Sequence, residues 1–565
     1  MKILINHLGF SPKSPKKGVM LAPDSAHSGH VEIRRCSDHQ RVLEVPLGSP
    51  TITDNWQIGY SYEFDFSALT NICEYYASYN ETHSHHFAIS QRLLYQHTFS
   101  DVIHYFKSQR CGGIYDEADR RATIFGSEEI RDVQGGWYDA SGDVSKYLSH
   151  LSYANYLNPQ QIPLVVWSLQ HSLQILREAQ IAPQYTQTRL IEEAKHGADF
   201  LLKMQHQSGF FYMTVFDKWT KVPQQRELCA YQTQQGYKGS DYEAGFRQGG
   251  GMSIAALAAV GREPLIEASI RTAYIEAAQK GYWHLKKHNL NYLDDGQQNI
   301  IDEYCALVAC CELYRTTTQQ TFLDEARAWA KQLMLRQHSD ANYCGFWSAN
   351  AQRPYFHASD AGLPVIALSQ YVQLETDPKQ AELATHTIEQ AITFELNISH
   401  EVANSFAYPR QYVKDLDSSK RSAFFIAQNN ESGYWWQGEN ARLASLACMG
   451  YMVSNQVKAE LKVDLQHYSQ SCLDWILGCN PYDMCMLDGH GHNNPDYLPE
   501  LGFFNAKGGI CNGITAGFND PHDIAFNPQP QADDMEQNWR WAEQWIPHAT
   551  WYLLAIALQA KQESL

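Results

Sequence analysis

From residue 98 onward, apolar residues recur at the spacing of one helical face. Ile162, Val166, Leu169, Leu173 and Leu176 lie three or four residues apart around Pro163, a residue suited to a helix's first turn, and Leu190, Ala194, Ala198, Leu201 and Met204 repeat the pattern. The same period predicts helices near 99–109 and over 247–260, 265–287, 301–315, 321–336, 362–374, 378–396, 440–453, 464–478 and 543–561, about twelve in all. Short and long connections alternate between them. The long ones run from Gly135 to Asp143, Phe210 to Gly250, Tyr343 to Asp360, Asn404 to Asn440 and Asn480 to Asp534, and they hold the polar and aromatic motifs. This alternation predicts paired helices arranged in a ring, with the long loops, where functional residues concentrate, at one end.

Residues 1–97 follow a different period. Short alternating runs at Lys2 to Asn6, Gly18 to Leu21, His30 to Arg35, Arg41 to Val45, Tyr60 to Phe66 and His86 to Ser90 are separated by turn signals that include Pro12, Pro15, Pro23 and Pro50. They predict a small β-sandwich ahead of a mainly α domain over 98–565.

Composition narrows the function classes. A net charge of -18 argues against a polyanionic partner, so no nucleic acid is expected; a neutral or cationic substrate fits, or the acidity serves solubility alone. The 13 cysteines are an odd number without a CxxC pair, and Cys305, Cys310 and Cys311 fall in apolar helical patterns. They read as buried thiols in a reducing compartment. No apolar run is long enough for a membrane span or a secretion signal, so a cytoplasmic protein is expected.

The candidate chemistry sits at Gly135-Gly136-Trp137-Tyr138-Asp139-Ala140-Ser141-Gly142-Asp143. Glycine permits tight backbone turns, and small residues between two acids leave both carboxylates free to face one cavity. Such a pair can hold and deprotonate a water, while Trp137 and Tyr138 offer flat surfaces of the kind that stack on sugar rings. A solvated loop with a turn-capping aspartate is the other reading.

Further motifs lie along the chain in a familiar order: Ile5-Asn6-His7-Leu8-Gly9-Phe10, Phe106-Lys107-Ser108-Gln109-Arg110-Cys111-Gly112, the aspartate loop, Tyr434-Trp435-Trp436-Gln437-Gly438-Glu439-Asn440, Leu477-Gly478-Cys479-Asn480-Pro481, and the stretch from Trp539 to Ala549. In these the chain resembles glycoside hydrolase family 9, an inverting family best known for cellulases. The resemblance implies an (α/α)6 barrel behind an immunoglobulin-like domain. It also implies Asp143 as general base, Asp139 as its partner in holding the water, and Glu543 as general acid. Trp137, Tyr138, Trp435, Trp436, Glu439, His490 and His492 are then the candidate substrate contacts. An inverting hydrolase needs carboxylates roughly 6.5–9.5 Å apart with a water between, and an acid whose pKa apolar surroundings raise. Trp541 and Trp545 flank Glu543 and suit that need; an acid favoured by a helix N-terminus is the alternative for Glu543.

Three departures refine the expectation. Where many members carry a His-His-Arg contact motif, this chain reads Asp488-Gly489-His490-Gly491-His492-Asn493-Asn494-Pro495-Asp496-Tyr497, with histidines better suited to hydrogen bonding than to a metal. Cys111 remains from a zinc motif seen in some members, but Arg120 to Asp132 supplies no Cys or His, and Asp520 with Asp523 is too thin for calcium, so no metal or other cofactor is expected. Ser141 is an extra residue between the two aspartates. The DASGD spelling resembles the exo-β-D-glucosaminidase branch of chitin-using marine bacteria, in which the first aspartate can face the sugar's 2-amino group. Asp139 and Glu439 are the candidates for that role, with pairing to Arg442 as the structural alternative for Glu439. The expected function is therefore an inverting exo-β-D-glucosaminidase that releases glucosamine from the non-reducing end of chitosan oligosaccharides. The alternatives are a β-1,4-endoglucanase or cellodextrin hydrolase with the same carboxylates, and a catalytically silent sugar-binding protein.

Overall fold

The computed structural model describes the chain except residues 234, 434–437, 504, 528–533 and 565 and the side chains of residues 535 and 536. Near the N-terminus two sheets face each other. One is antiparallel, in the order β1 (Lys2–Leu4), β3 (Lys17–Ala22), β6 (Tyr60–Asp65); the other runs β2 (Gly9–Phe10), β9 (Phe87–Ile89), β7 (Cys73–Tyr79), β4 (His30–Arg35), β5 (Arg41–Pro46), with β8 (Thr82–His83) beside β7. Ile3, Ile5, Phe10, Val31, Ile33, Tyr62, Phe64 and Phe87 fill the space between them. The sequence pattern misses β7. Its residues 75–79 are buried whichever face they point to, so no polar alternation marks the strand.

Helices occupy every stretch where the 3.6 period recurs. They are α1 (Leu93–Ser108), α3 (Ile162–Glu178), α4 (Gln184–Met204), α5 (Gly251–Val260), α6 (Ala268–Tyr292), α7 (Ile300–Thr317), α8 (Gln320–Met334), α9 (Leu363–Val372), α10 (Pro378–His400), α11 (Glu439–Val453), α12 (Ala459–Ile476) and α14 (Ile546–Gln562). Two short helices, α2 (Gly113–Asp119) and α13 (Met535–Ala542), add to them. Two helix types alternate. In α8 only Phe322, Leu323, Ala326, Trp329, Ala330 and Leu333 are buried, a single stripe. In α5, by contrast, all residues of GMSIAALAAV are buried, and its small side chains let neighbouring backbones come close.

The enclosed helices pack in a closed cycle, α3 to α5, α7, α9, α11, α14 and back to α3, and each carries an amphipathic helix outside it: α4, α6, α8, α10, α12 and, against α14, α1. The β-domain is fastened to this body by Trp56, which packs on Phe424, Phe425 and Trp475, and by the Asn6 amide, which donates to Asp474 at 2.8 Å.

Candidate active site

The aspartate loop is anchored at both ends before it reaches the acids. At its start Gly136 takes a left-handed φ of 72°, and a Cβ there would lie 2.9 Å from the Phe200 ring. Below it lies a fully buried ion cluster. Asp119 accepts from Arg226 at 2.6 Å and pairs with Lys146 at 2.7 Å, and the Lys146 ammonium also donates to the carbonyls of Val133 and Gly135. Removing one member would leave an uncompensated buried charge, so the cluster fixes the path of the loop.

Beyond Asp139 the loop runs alongside the segment between α13 and α14. Ala140 pairs with Trp545, the Ser141 amide donates to the Gln544 carbonyl at 2.9 Å, and the Gln544 amide donates to Ser141 Oγ at 3.1 Å. The extra Ser141 thus ties the two segments together through both backbone and side chain. This pairing also explains why the predicted helix over 543–561 begins only at Ile546: Glu543 to Trp545 are held out of helical geometry, and Glu543 is not a helix N-terminal acid.

The register brings three carboxyl groups together. The Gly142 amide donates to Glu543 Oε1 at 3.1 Å, and Tyr497 OH lies 3.4 Å from the same oxygen. Asp143 follows Gly142 directly. Its Oδ1 accepts from the Ser145 amide at 2.8 Å and its Oδ2 from Tyr147 OH at 3.1 Å. Asp139 is 1% exposed, with Oδ2 3.6 Å from His150 Nδ1, too far for a hydrogen bond. Burial keeps that imidazole neutral, lowering its pKa to about 3.

The electrostatics separate the three. Burial, then the charge of Asp143, pushes Glu543 up to about 8 against the opposing Gly142 amide, Lys221 and Tyr497. Burial, then Asp143 and Glu543, holds Asp139 well above the carboxylate range. Asp143 is raised by burial and by Asp217, but the hydrogen bonds from Ser145 and Tyr147 oppose the rise. Glu543 therefore keeps its proton at neutral pH, while the two hydrogen bonds donated to Asp143 favour its charged form, the division that general acid–base chemistry requires.

Comparison with known proteins identifies the setting. The profile described as "Glycosyl hydrolase family 9" matches residues 95–500, and "Cellulase N-terminal ig-like domain" matches residues 1–84. The chain belongs to glycosyl hydrolase family 9. Solved structures share its fold across the whole length. A metagenome-derived family 9 endoglucanase has a TM-score of 0.70 at 17% identity, covering 99% of both chains. A Bacteroides ovatus family 9 protein has 0.66 at 18%, covering 100% of this chain and 99% of its own. AaCel9A in complex with cellobiose-like isofagomine has 0.65 at 16%, covering 99% of this chain and 100% of its own. A comparison with curated proteins gave no match.

Several expected substrate contacts of this family 9 enzyme lie elsewhere. Trp137 is fully buried, packed against Phe106 and His196 and covered by Gly197 of α4; it anchors the loop in the core. Tyr138 OH is taken up by the Gly112 backbone, at 3.1 Å to both its N–H and its carbonyl. A glycine-rich stretch does not fix which way its aromatics turn: here Trp137 turns inward, and half-buried Tyr138 spends its hydroxyl on the backbone. Glu439 is 1% exposed, 2.9 Å from Arg442 and 2.5 Å from Tyr408 OH, the structural pairing. His490 bonds Asp101 of α1 at 2.9 Å, and His492 stacks on His85 of the β-domain at 4.0 Å. Trp435 and Trp436 lie outside the described residues.

Among the described residues, His7, His85 and Asp483 bring their ring nitrogens and carboxylate oxygens within 4.8 Å of one another, close enough to suggest a metal. The hydrogen bonding speaks against one. His7 Nδ1 receives the His492 amide at 3.2 Å, so the ring proton sits on Nε2 and points at Asp483, 3.0 Å away. A metal on Nε2 would require Nδ1 to hold a proton against an N–H donor. The cluster is a hydrogen-bonded latch between the domains. Cys111 faces Asp119 of the buried ion cluster at 3.6 Å.

Sequence reasoning missed Ser145, Tyr147, Asp217, Lys221 and Tyr497. Tyr497 ends the rebuilt contact motif, and Asp217 and Lys221 lie in the long connection from Phe210 to Gly250, but no spacing signal marked them. A cavity of about 620 Å3 lined by His386, Phe394 and Lys458 contains none of the acids.

Proposed function

We propose that the chain is an inverting β-1,4-glucan hydrolase on an (α/α)6 barrel, acting on cellulose-derived chains or oligosaccharides, with Asp143 as base, Asp139 holding the water and Glu543 as acid. The closed cycle of six enclosed helices supports the barrel. One observation carries the catalytic reading: the loop that holds Asp143 donates its preceding amide to Glu543, so base and acid are fixed in one register, with the acid holding its proton at neutral pH. In the step, Glu543 gives its proton to the glycosidic oxygen as the bond from the anomeric carbon breaks. Water adds from the opposite face, Asp143 takes the water's proton, and the first product is the α-anomer.

The choice of glucan over glucosamine follows from charge. A 2-ammonium group needs a free carboxylate, yet Glu439 is neutralised by Arg442, and burial together with the neighbouring Asp143 and Glu543 disfavours the ionised form of Asp139. The endoglucanase structures of the same fold agree with this choice. One observation favours the glucosamine reading: Asp139 Oδ1 is buried without a hydrogen-bond partner, an acceptor an ammonium would satisfy. Assaying cellobiose and short cellodextrins against chitosan disaccharide decides between them. Faster release from chitosan disaccharide would overturn the glucan reading. We also propose a reducing, cytoplasmic setting, in keeping with 13 unpaired thiols.

A further inference from the structure

The Asp217-Lys218-Trp219-Thr220-Lys221 turn joins the strand at Thr214–Phe216 to the strand at Glu227–Tyr231, and the former pairs with Lys146 and Tyr147 just after the aspartate loop. Lys218, Trp219 and Lys221 all take left-handed backbone, with φ of 62°, 58° and 58°. That conformation is unfavourable for each L-residue, and strain of this kind persists only where the surroundings over-determine it. Here the fully buried Asp217 does so: its Oδ1 accepts from the Trp219 amide at 3.1 Å and its Oδ2 from the Lys221 amide at 2.7 Å.

The turn is connected to both reacting carboxyl groups. Asp217 Oδ1 also accepts from Ser145 Oγ at 2.8 Å, and the Ser145 amide holds Asp143 Oδ1. The Trp219 indole N–H donates to Tyr147 OH at 3.2 Å. An indole nitrogen only donates, so Tyr147 must spend its own proton elsewhere, and the acceptor in reach is Asp143 Oδ2 at 3.1 Å. Each oxygen of Asp143 is thereby reached from the turn through a single intermediate. On the other side the Lys221 ammonium sits 3.5 Å from the centre of the Phe503 ring, Phe503 packs on Tyr497 at 5.4 Å, and Tyr497 OH reaches Glu543.

We propose that this turn braces the catalytic pair: Asp217 and Trp219 are positioning residues that aim the hydrogen bonds on Asp143, and Lys221, seated on Phe503, supplies the cation that keeps Glu543 able to give up its proton. The inference rests on reading Asp143 as base and Glu543 as acid. Among the described residues, the charged and titratable groups facing Glu543 are Asp143, Asp139, Lys221, Tyr497 and Tyr105, and Lys221 is the cation among them. It opposes the upward push on Glu543 from burial and Asp143.

Trp219→Phe, Lys221→Met and Lys221→Arg test the brace in the full-length enzyme, with folding followed by circular dichroism and kcat/KM measured against pH. Trp219→Phe should lower kcat about tenfold or more with KM within about twofold, and move the acid limb upward, because Asp143 loses the aimed Tyr147 proton. Lys221→Met should move the alkaline limb to higher pH, and Lys221→Arg should restore it. Wild-type kcat and acid limb in Trp219→Phe, or an unmoved alkaline limb in Lys221→Met, overturns the brace. Asp143→Asn and Glu543→Gln, measured alongside, separate the two failures: if they stay active, the base and acid assignments fall instead.

Discussion

Glu543→Gln tests the site through stability as well as rate. The side chain is 9% exposed, and its pKa of about 8 stands about 3.5 pH units above the ordinary 4.5. A carboxyl raised on folding contributes its full stability below pH 4.5, where both states are protonated, and that stability is lost as pH climbs toward 8, because the unfolded chain ionises first. At about 1.36 kcal/mol per pH unit, the wild type gives up about 3 kcal/mol by pH 7 and about 5 kcal/mol by pH 9. Glutamine keeps the shape and can still accept from the Gly142 amide, but it never ionises. The variant should therefore match the wild type near pH 4.5 and exceed it by several kcal/mol at pH 9, in denaturant titrations followed by tryptophan fluorescence. Hydrolysis of a substrate with a poor leaving group should fall about 10²- to 10⁴-fold, while an aryl glycoside with an acidic phenol is largely spared. A stability difference that stays constant from pH 5 to 9 would refute the buried, protonated acid. Equal losses on both substrates would refute its role as proton donor.

Three further outcomes follow from the same geometry. Asp143→Asn should fold normally and lose turnover, since an amide cannot take the water's proton; NMR of the residual wild-type reaction must show the α-anomer first, and a β-anomer would make Asp143 a nucleophile. Gly142→Ala would put a Cβ 2.4 Å from Glu543 Oε1 and 2.5 Å from Tyr497 OH, so the acid's mobile end must move: kcat should drop by about tenfold or more with the melting temperature little changed, and an unaffected kcat would show that the acid's position does not matter. Asp483→Asn leaves one acceptor oxygen for the two imidazoles of His7 and His85 and removes the charge, so it weakens the latch and should cost about 1–3 kcal/mol near neutral pH. Burial alone would raise Asp483, but His7 and His85 outweigh it and lower its pKa, so this contribution is present above the usual carboxylate range and is lost as pH falls below it; a loss that grew toward alkaline pH would contradict the assignment.

The sequence by itself determined what depends on near neighbours. Helices are set by apolar residues three and four apart, so the recurring 3.6 period located all the principal helices, and the change to short alternating runs marked the β-domain. The spacing of Asp139 and Asp143, with small residues between them, likewise kept two carboxyl groups on one loop. What lies beyond a few residues needed the tertiary structure. Glu543 meets Gly142 only because Ser141 and Gln544 pair across some 400 positions of chain, and that pairing also stops the predicted helix short of Glu543. Trp137 turns into the core because Phe106 and Gly197 leave room there, and half-buried Tyr138 ties its hydroxyl to the Gly112 backbone, neither of which any spacing on the loop encodes. Asp217, Lys221 and Tyr497 lie on long loops and, for Tyr497, at the end of the rebuilt contact motif, but no spacing ties them to the acids. They become part of the site because the chain brings a strained turn and a distant loop to the same two carboxyl groups, and the burial this creates decides which of them keeps its proton.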